Sequence, residues 1–165
     1  MTDEELQLYK DLQPLFKEKM GDWWVGDLLY DDFDKWIKII TSMYGSPHCE
    51  TVMLQKMGSG GGATSNKTDV RDSKVIWLPR TIDDRNPERG LWGMVNWGKW
   101  NIAVDSGTNQ VIVWDKGMNN VYLYGSTPTF AILQALKAQN AMISRPARNC
   151  GFLHRACYGS AGLNC

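Results

Sequence analysis

Apolar residues recur along this chain with two different periods, and the periods divide it into helices and strands. Leu6, Tyr9, Leu12, Leu15 and Phe16 fall at helical spacing behind Thr2-Asp3-Glu4-Glu5, a capping box with Thr2 as N-cap and Glu5 as third helical residue. Gly21 ends this helix, Pro14 is expected to kink or split it, and its apolar side is expected to cover a sheet rather than a partner subunit. Residues 23–42 hold short runs, Trp23-Trp24-Val25, Leu28-Leu29-Tyr30 and Trp36-Ile37-Lys38-Ile39-Ile40, around the turn-like Asp31-Asp32-Phe33-Asp34. Phe33, Trp36, Ile37 and Ile40 also fit one helix face, but the Ile and Trp enrichment and the shortness of the runs favour strands and a hairpin. Thr51-Val52-Met53-Leu54 adds a further strand, and Val75-Ile76-Trp77-Leu78 is a short apolar run that Pro79 stops.

The most regular pattern follows residue 99. Trp100-Asn101-Ile102-Ala103-Val104-Asp105, Gln110-Val111-Ile112-Val113-Trp114-Asp115 and Val121-Tyr122-Leu123-Tyr124 are separated by turn residues too few for a crossover, so they predict an antiparallel meander. Ser126-Thr127-Pro128 then starts a helix with a polar cap and Pro in its first turn, and Phe130, Leu133 and Leu136 lead a stripe expected to lie on the meander. Asn86-Pro87-Glu88 opens a shorter helix of one or two turns, with Leu91, Met94 and Val95 as its apolar face and Gly90 and Gly93 weakening it. The fold class read from these elements is α+β: a mostly antiparallel sheet packed by an N-terminal and a C-terminal helix. Residues 1–142 are read as one domain. Residues 143–165, without periodicity, are read as a flexible tail.

Composition narrows the partners. Lys plus Arg and Asp plus Glu are both 18, giving a formal net charge of +0, which argues against duplex nucleic acid as partner. No apolar run has the roughly 18 residues needed to span a bilayer, and the acidic start does not resemble a secretory signal, so a reducing cytoplasm and free thiols are expected. In the tail, Cys150, His154, Cys157 and Cys165 lack the paired spacing of a strong zinc site, and loose thiols are the preferred reading. GSGGGATS, residues 58–65, fits neither a phosphate loop nor a dinucleotide fingerprint and reads as a mobile loop between two strands. No constellation argues for an enzyme: His48 and His154 stand in a loop and the tail, and no nucleophile elbow or zinc-helix motif is present. Asp83, Asp84 and Glu88 could hold a hard cation such as magnesium, but adjacent acids are common in loops; no metal or cofactor is expected.

Residues 75–100 carry the candidate chemistry. Arg80, Arg85 and Arg89, interleaved with Asp83, Asp84 and Glu88, stand among Trp77, Trp92 and Trp97 in a chain with 8 tryptophans. Guanidinium groups pair with anions bidentately and stack on ring faces, so these residues form a candidate ligand-binding set for a planar anionic molecule such as a nucleotide. The same residue types are interface anchors, so a protein partner fits as well, and self-association is left open. The competing reading makes the tryptophans core and the charges a loop that pairs within itself.

The runs IWLPRTIDDRNPERGLWGMVNW, GDWWVGDLLYDD and STPTFAILQALKAQ resemble a group of small tailed-bacteriophage proteins. These share a GDW…GD…Y opening, a WLPR…NPERGLWGM centre and a TPT-x-A-L-L-x-A-L final helix. The resemblance covers about residues 20–140; GSGGGATS looks like a variable insertion, and the tail from Arg145 has no counterpart. It implies the host cytoplasm and a non-catalytic accessory protein that sequesters a nucleotide-type host-defence signal, or alternatively a protein-interaction module in phage assembly or regulation. Both are analogies of context, not of mechanism.

Overall fold

The computed structural model describes residues 1–46, 49–108, 110–116, 121–124 and 127–143. The tail with its Cys and His residues, His48 and the turn at residues 117–120 lie outside the described residues. The architecture is α+β. Helix α1 (Asp3–Met20) is followed by strands β1 (Leu28–Asp31), β2 (Trp36–Ser46), β3 (Cys49–Lys56) and β4 (Gly62–Asn66), then the short helix α2 (Lys67–Asp72) and strand β5 (Val75–Leu78). A single 3-10 turn (Pro87–Arg89) leads into helix α3 (Leu91–Gly98), strands β6 (Trp100–Asp105), β7 (Gln110–Asp115) and β8 (Val121–Tyr124), and helix α4 (Pro128–Ile143). One sheet is 5-stranded in the order β4-β3-β2-β1-β5, and the other is the 3-stranded meander β6-β7-β8. All their pairings are antiparallel.

Thr2 caps α1 as expected, its Oγ1 accepting from the Glu5 amide at 3.1 Å. Pro14 neither splits nor ends α1. Leu8, Tyr9 and Leu12 before it and Leu15, Phe16 and Met20 after it are all buried. Each such burial contributes about 1.5–3 kcal/mol, so their sum outweighs the roughly 3 kcal/mol cost of a proline in a helix interior. The helix also closes a sheet edge. The Trp77 amide donates to Gln13 Oε1 at 2.9 Å, and Gln13 Nε2 donates to the Trp77 carbonyl at 2.9 Å, so one side chain pairs both backbone groups of Trp77 on the edge of β5.

Two other local expectations need correction. Trp23-Trp24-Val25 is not a strand. Asp27 folds it into a turn, since its Oδ2 accepts from the Trp24 amide at 2.8 Å while its own amide donates to the Trp24 carbonyl at 3.0 Å. Gly26, with φ of 91°, closes that turn in backbone space other residues avoid. The GSGGGATS segment is only partly a loop, because Gly62 to Asn66 pair with β3 and Asn66 caps α2, accepting from the Thr68 amide at 3.2 Å. The meander and the last helix follow the sequence reading closely. Thr127 Oγ1 caps α4, accepting from the Phe130 amide at 3.2 Å, and α4 packs on β7 and β8 as well as on α1 and α3. Ala131, Ile132, Leu133, Ala135 and Leu136 have 0% exposure there.

Candidate ligand-binding cleft

The loop between α1 and β1 is held by arginines from the middle of the chain. Asp27, at the entry to β1, is buried. It accepts from Arg85 Nη2 at 2.7 Å and from Arg89 Nη2 at 3.0 Å. Arg85 also donates to both carboxylate oxygens of Asp83, at 2.8 and 2.6 Å, and to the Val25 carbonyl. Gly26 suits this place by its positive φ, and a Cβ there would press on the end of the Arg85 side chain, which would have to shift. Arg80 Nη2 donates to the Gly26 carbonyl at 3.2 Å. The three guanidinium groups therefore converge, as a shared anion pocket would require, but they converge on the chain's own residues 20–27.

Arg89 reaches deepest. Its Nη1 donates to the Met20 carbonyl at 2.7 Å and its Nη2 to the Asp22 carbonyl at 2.8 Å. A guanidinium at that place satisfies the last carbonyl of α1 and one in the loop beyond it, and opposes the negative end of the helix dipole. The group lies 4.0 Å from the Trp24 ring centroid and 5.5 Å from that of Trp77, where the indole faces attract the cation. Its Nε has no hydrogen-bond partner among the described residues. Burying so polar a group is tolerable only because its charge is met by Asp27 and most of its donors are used.

This clamp has a geometric result. Arg89 belongs to the 3-10 turn, and Met20 is the last residue of α1, so the clamp fixes the end of α1 beside the turn and the helix that follows it. Between them lies a cleft of about 360 Å³, lined by Lys19, Pro87, Glu88, Trp92, Gly93, Met94, Asn96 and Trp97. Helix α3 buries Leu91, Met94 and Val95 inward, which turns Trp92 and Trp97 outward at 41% and 40% exposure. Gly93 lets α3 sit against the preceding turn: a Cβ there would stand 2.5 Å from the Glu88 carbonyl oxygen. Lys19 Nζ lies 4.6 Å from the Trp97 ring centroid and pairs with Glu18 at 2.7 Å. The volume is in the range of small-molecule sites.

The residues singled out from sequence thus do not share one site. Glu88, Trp92 and Trp97 line the cleft, whereas the buried Trp77, Asp83 and Arg89 and the more exposed Arg85 form the clamp behind it. Arg80 borders a different, open groove of about 490 Å³ with Tyr9, Leu28 and Ile82, and Asp84 is exposed. Sequence reasoning missed Lys19, Asn96, Asp27 and Trp24. Asn96 was within reach, since it lies on the same outward side of α3 as Trp92; Lys19 and Asp27 come from other elements, and local spacing carries no sign of them. Among the described residues no three His, Cys, Asp or Glu side chains gather into a group able to hold a metal ion, and no helix is long and apolar enough to cross a membrane. No family model matches the chain, and neither curated proteins nor solved structures show a match to it.

The clamp also sets a pH dependence. The hydrogen bonds from Arg85 hold the Asp83 carboxyl below the usual carboxylate range against the opposing effect of burial. A depressed folded-state pKa contributes stability that is complete above the unfolded value of roughly 4 and is lost as pH falls through the folded value. Stability measured by denaturant between about pH 5 and pH 2 should fall less steeply for Asp83→Asn than for the parent. Parallel curves would mean that Asp83 gains no net stabilisation from Arg85.

Proposed function

We propose that this chain is a non-catalytic binding protein whose Trp92–Trp97 cleft takes a planar, anionic ligand of nucleotide type. The observation that carries this reading is the pair of half-exposed indoles on one short helix with a lysine ammonium above one of them. Indole faces stack on any nucleobase, Lys19 supplies a cation for a phosphate, and the Asn96 amide offers a donor and an acceptor to a base edge. The Arg89 clamp supports the reading, since a site whose two walls are tied together loses little freedom when it binds. Glu88 opposes the phosphate if both occupy the same end of the cleft, which orients the ligand with its anionic end towards Lys19. The resemblance to tailed-bacteriophage proteins adds the biological setting: sequestration of a nucleotide-type signal of host defence in the host cytoplasm.

Titration of the full chain with AMP, ATP and cyclic dinucleotides should quench tryptophan fluorescence. Trp97→Ala should weaken binding by about 1–3 kcal/mol, the range for base stacking on an aromatic residue, or roughly fivefold to more than a hundredfold in Kd. Because Trp97 is 40% exposed, the melting temperature should move little. The ligand should be recovered chemically unchanged after incubation; conversion to product would replace this reading with that of a hydrolase. The same exposed indoles also favour a second reading, a protein-interaction module of phage assembly or regulation. Absence of any nucleotide response would leave that one standing.

A further inference from the structure

The polar side chains that line the Trp92–Trp97 cleft are those of Lys19, Glu88 and Asn96. Lys19 is engaged, with Glu18 and with the Trp97 ring. Glu88 and Asn96 are not. Both are exposed, and neither side chain has an ion pair or a hydrogen bond among the described residues. The backbone under Glu88 is nevertheless held. Its amide donates to Asn86 Oδ1 at 3.1 Å, and the next residue, Arg89, is tied to the Met20 carbonyl. Asn96 stands one helical turn beyond Trp92 on α3, which sets a free amide beside an indole.

A carboxylate accepts through two oxygens and donates nothing, whereas a primary amide does both. A base stacked on an indole of this cleft turns its edges towards these groups. Guanine matches a carboxylate: its N1–H and its N2 amino group are adjacent donors, one for each oxygen. Adenine sets a lone pair on N1 beside its amino group, and that lone pair would face an oxygen. Cytosine likewise has its amino group next to an acceptor, and uracil has a single N–H between two carbonyls. The other edge of guanine carries O6 and N7, two acceptors that the N–H groups of Asn96 can meet. Every free polar group of the cleft then finds its complement, and hydrogen bonds to a charged group are the stronger kind.

We infer that the cleft selects guanine among the nucleobases, with Glu88 accepting from N1–H and the N2 amino group and Asn96 donating to O6 or N7. This rests on the reading of the cleft as a nucleotide site and adds which nucleotide it takes. It also gives Glu88 a task. A carboxylate in a site for an anion otherwise only repels its ligand. Here it stands at the base end, with Lys19 at the phosphate end.

Isothermal titration of the full chain with GMP, IMP, AMP, CMP and UMP tests this. GMP should bind roughly fivefold to more than a hundredfold more tightly than AMP, CMP or UMP, the range for one bidentate contact to a base. IMP keeps N1–H and lacks the N2 amino group, so it should fall between GMP and AMP. Glu88→Gln keeps the size of the side chain and puts a donor in place of one acceptor, so the advantage of GMP over AMP should be lost. If Glu88 acted only by repelling phosphate, the same variant would strengthen binding of every nucleotide by one factor and keep their ratios. Glu88 is exposed, so the melting temperature should not move. Equal affinities for all the nucleotides, or a GMP preference that survives Glu88→Gln, would overturn this inference and leave the cleft a nucleotide site. Binding of none of them would overturn the nucleotide reading, and this inference with it.

Discussion

Asp27→Ala is expected to lower the unfolding free energy by about 3–5 kcal/mol, the range for removing one partner of a buried ion pair. Asp27 is 5% exposed and accepts from Arg85, from Arg89 and from the Trp24 amide. Without it, Arg89 stays 7% exposed with no carboxylate to answer its charge, and the turn that closes residues 24–27 loses its side-chain acceptor. For a chain of 165 residues each kcal/mol is worth about 2–4 °C in Tm, so a fall of roughly 6–20 °C should be read in a thermal melt. Asp27→Asn keeps an acceptor and loses only the charge, so it should cost less. If Asp27→Ala costs under about 1 kcal/mol, water reaches Arg89 and the clamp does not fix the end of α1. The cleft depends on the same clamp, because Arg89 ties the Met20 carbonyl to the turn that carries Glu88. Asp27→Ala should therefore also weaken whatever the Trp92–Trp97 cleft binds, although Asp27 does not line it.

The parts of this fold that can be read from sequence are those whose partners are close along the chain. The meander bounds follow from alternation over short turns, and the turn of residues 105–108 has its own chemistry, with Asp105 accepting from the Gly107 amide at 3.0 Å. In α3 the assignment of Leu91, Met94 and Val95 to the inner face already leaves Trp92 and Trp97 outside, so half of the cleft was legible from helical periodicity alone. The run Val75-Ile76-Trp77-Leu78 offers no such discrimination. Every position in it is apolar, and only pairing with β1 and the docking of α1 show Trp77 to be buried. Helix α2 escaped notice because it is a single short element with Val70 as its buried apolar residue and Lys67 buried beside it, paired with Glu50 at 2.7 Å. Arg85 and Arg89 stand out in the sequence, but Asp27, the partner they share, lies some sixty residues away, and no local spacing encodes that. The competing reading, in which the charges pair within their own loop, was right for Arg85 with Asp83 and silent about Asp27.

Leu133→Asp should be more damaging still. Leu133 is 0% exposed on α4, and α4 packs on α1, α3 and the meander. Truncating a leucine at such a site costs about 2–5 kcal/mol in lost burial and residual cavity. A carboxylate adds a desolvation cost that protonation only partly relieves, so the total should exceed about 5 kcal/mol and approach the whole stability of a typical domain. The variant should be largely unfolded at 25 °C by near-ultraviolet circular dichroism, and the tryptophan signal of the cleft should be lost with it, because α3 rests on α4. Lys137→Ala, one helical turn further along, is the control. Lys137 is half-exposed and pairs with Asp11 at 2.7 Å, and an exposed pair contributes no more than about 1 kcal/mol. Leu133→Ala should fall between the two. A Leu133→Asp variant that melts within a degree of the parent would mean that this side of α4 faces water, and the packing that places the cleft would be wrong.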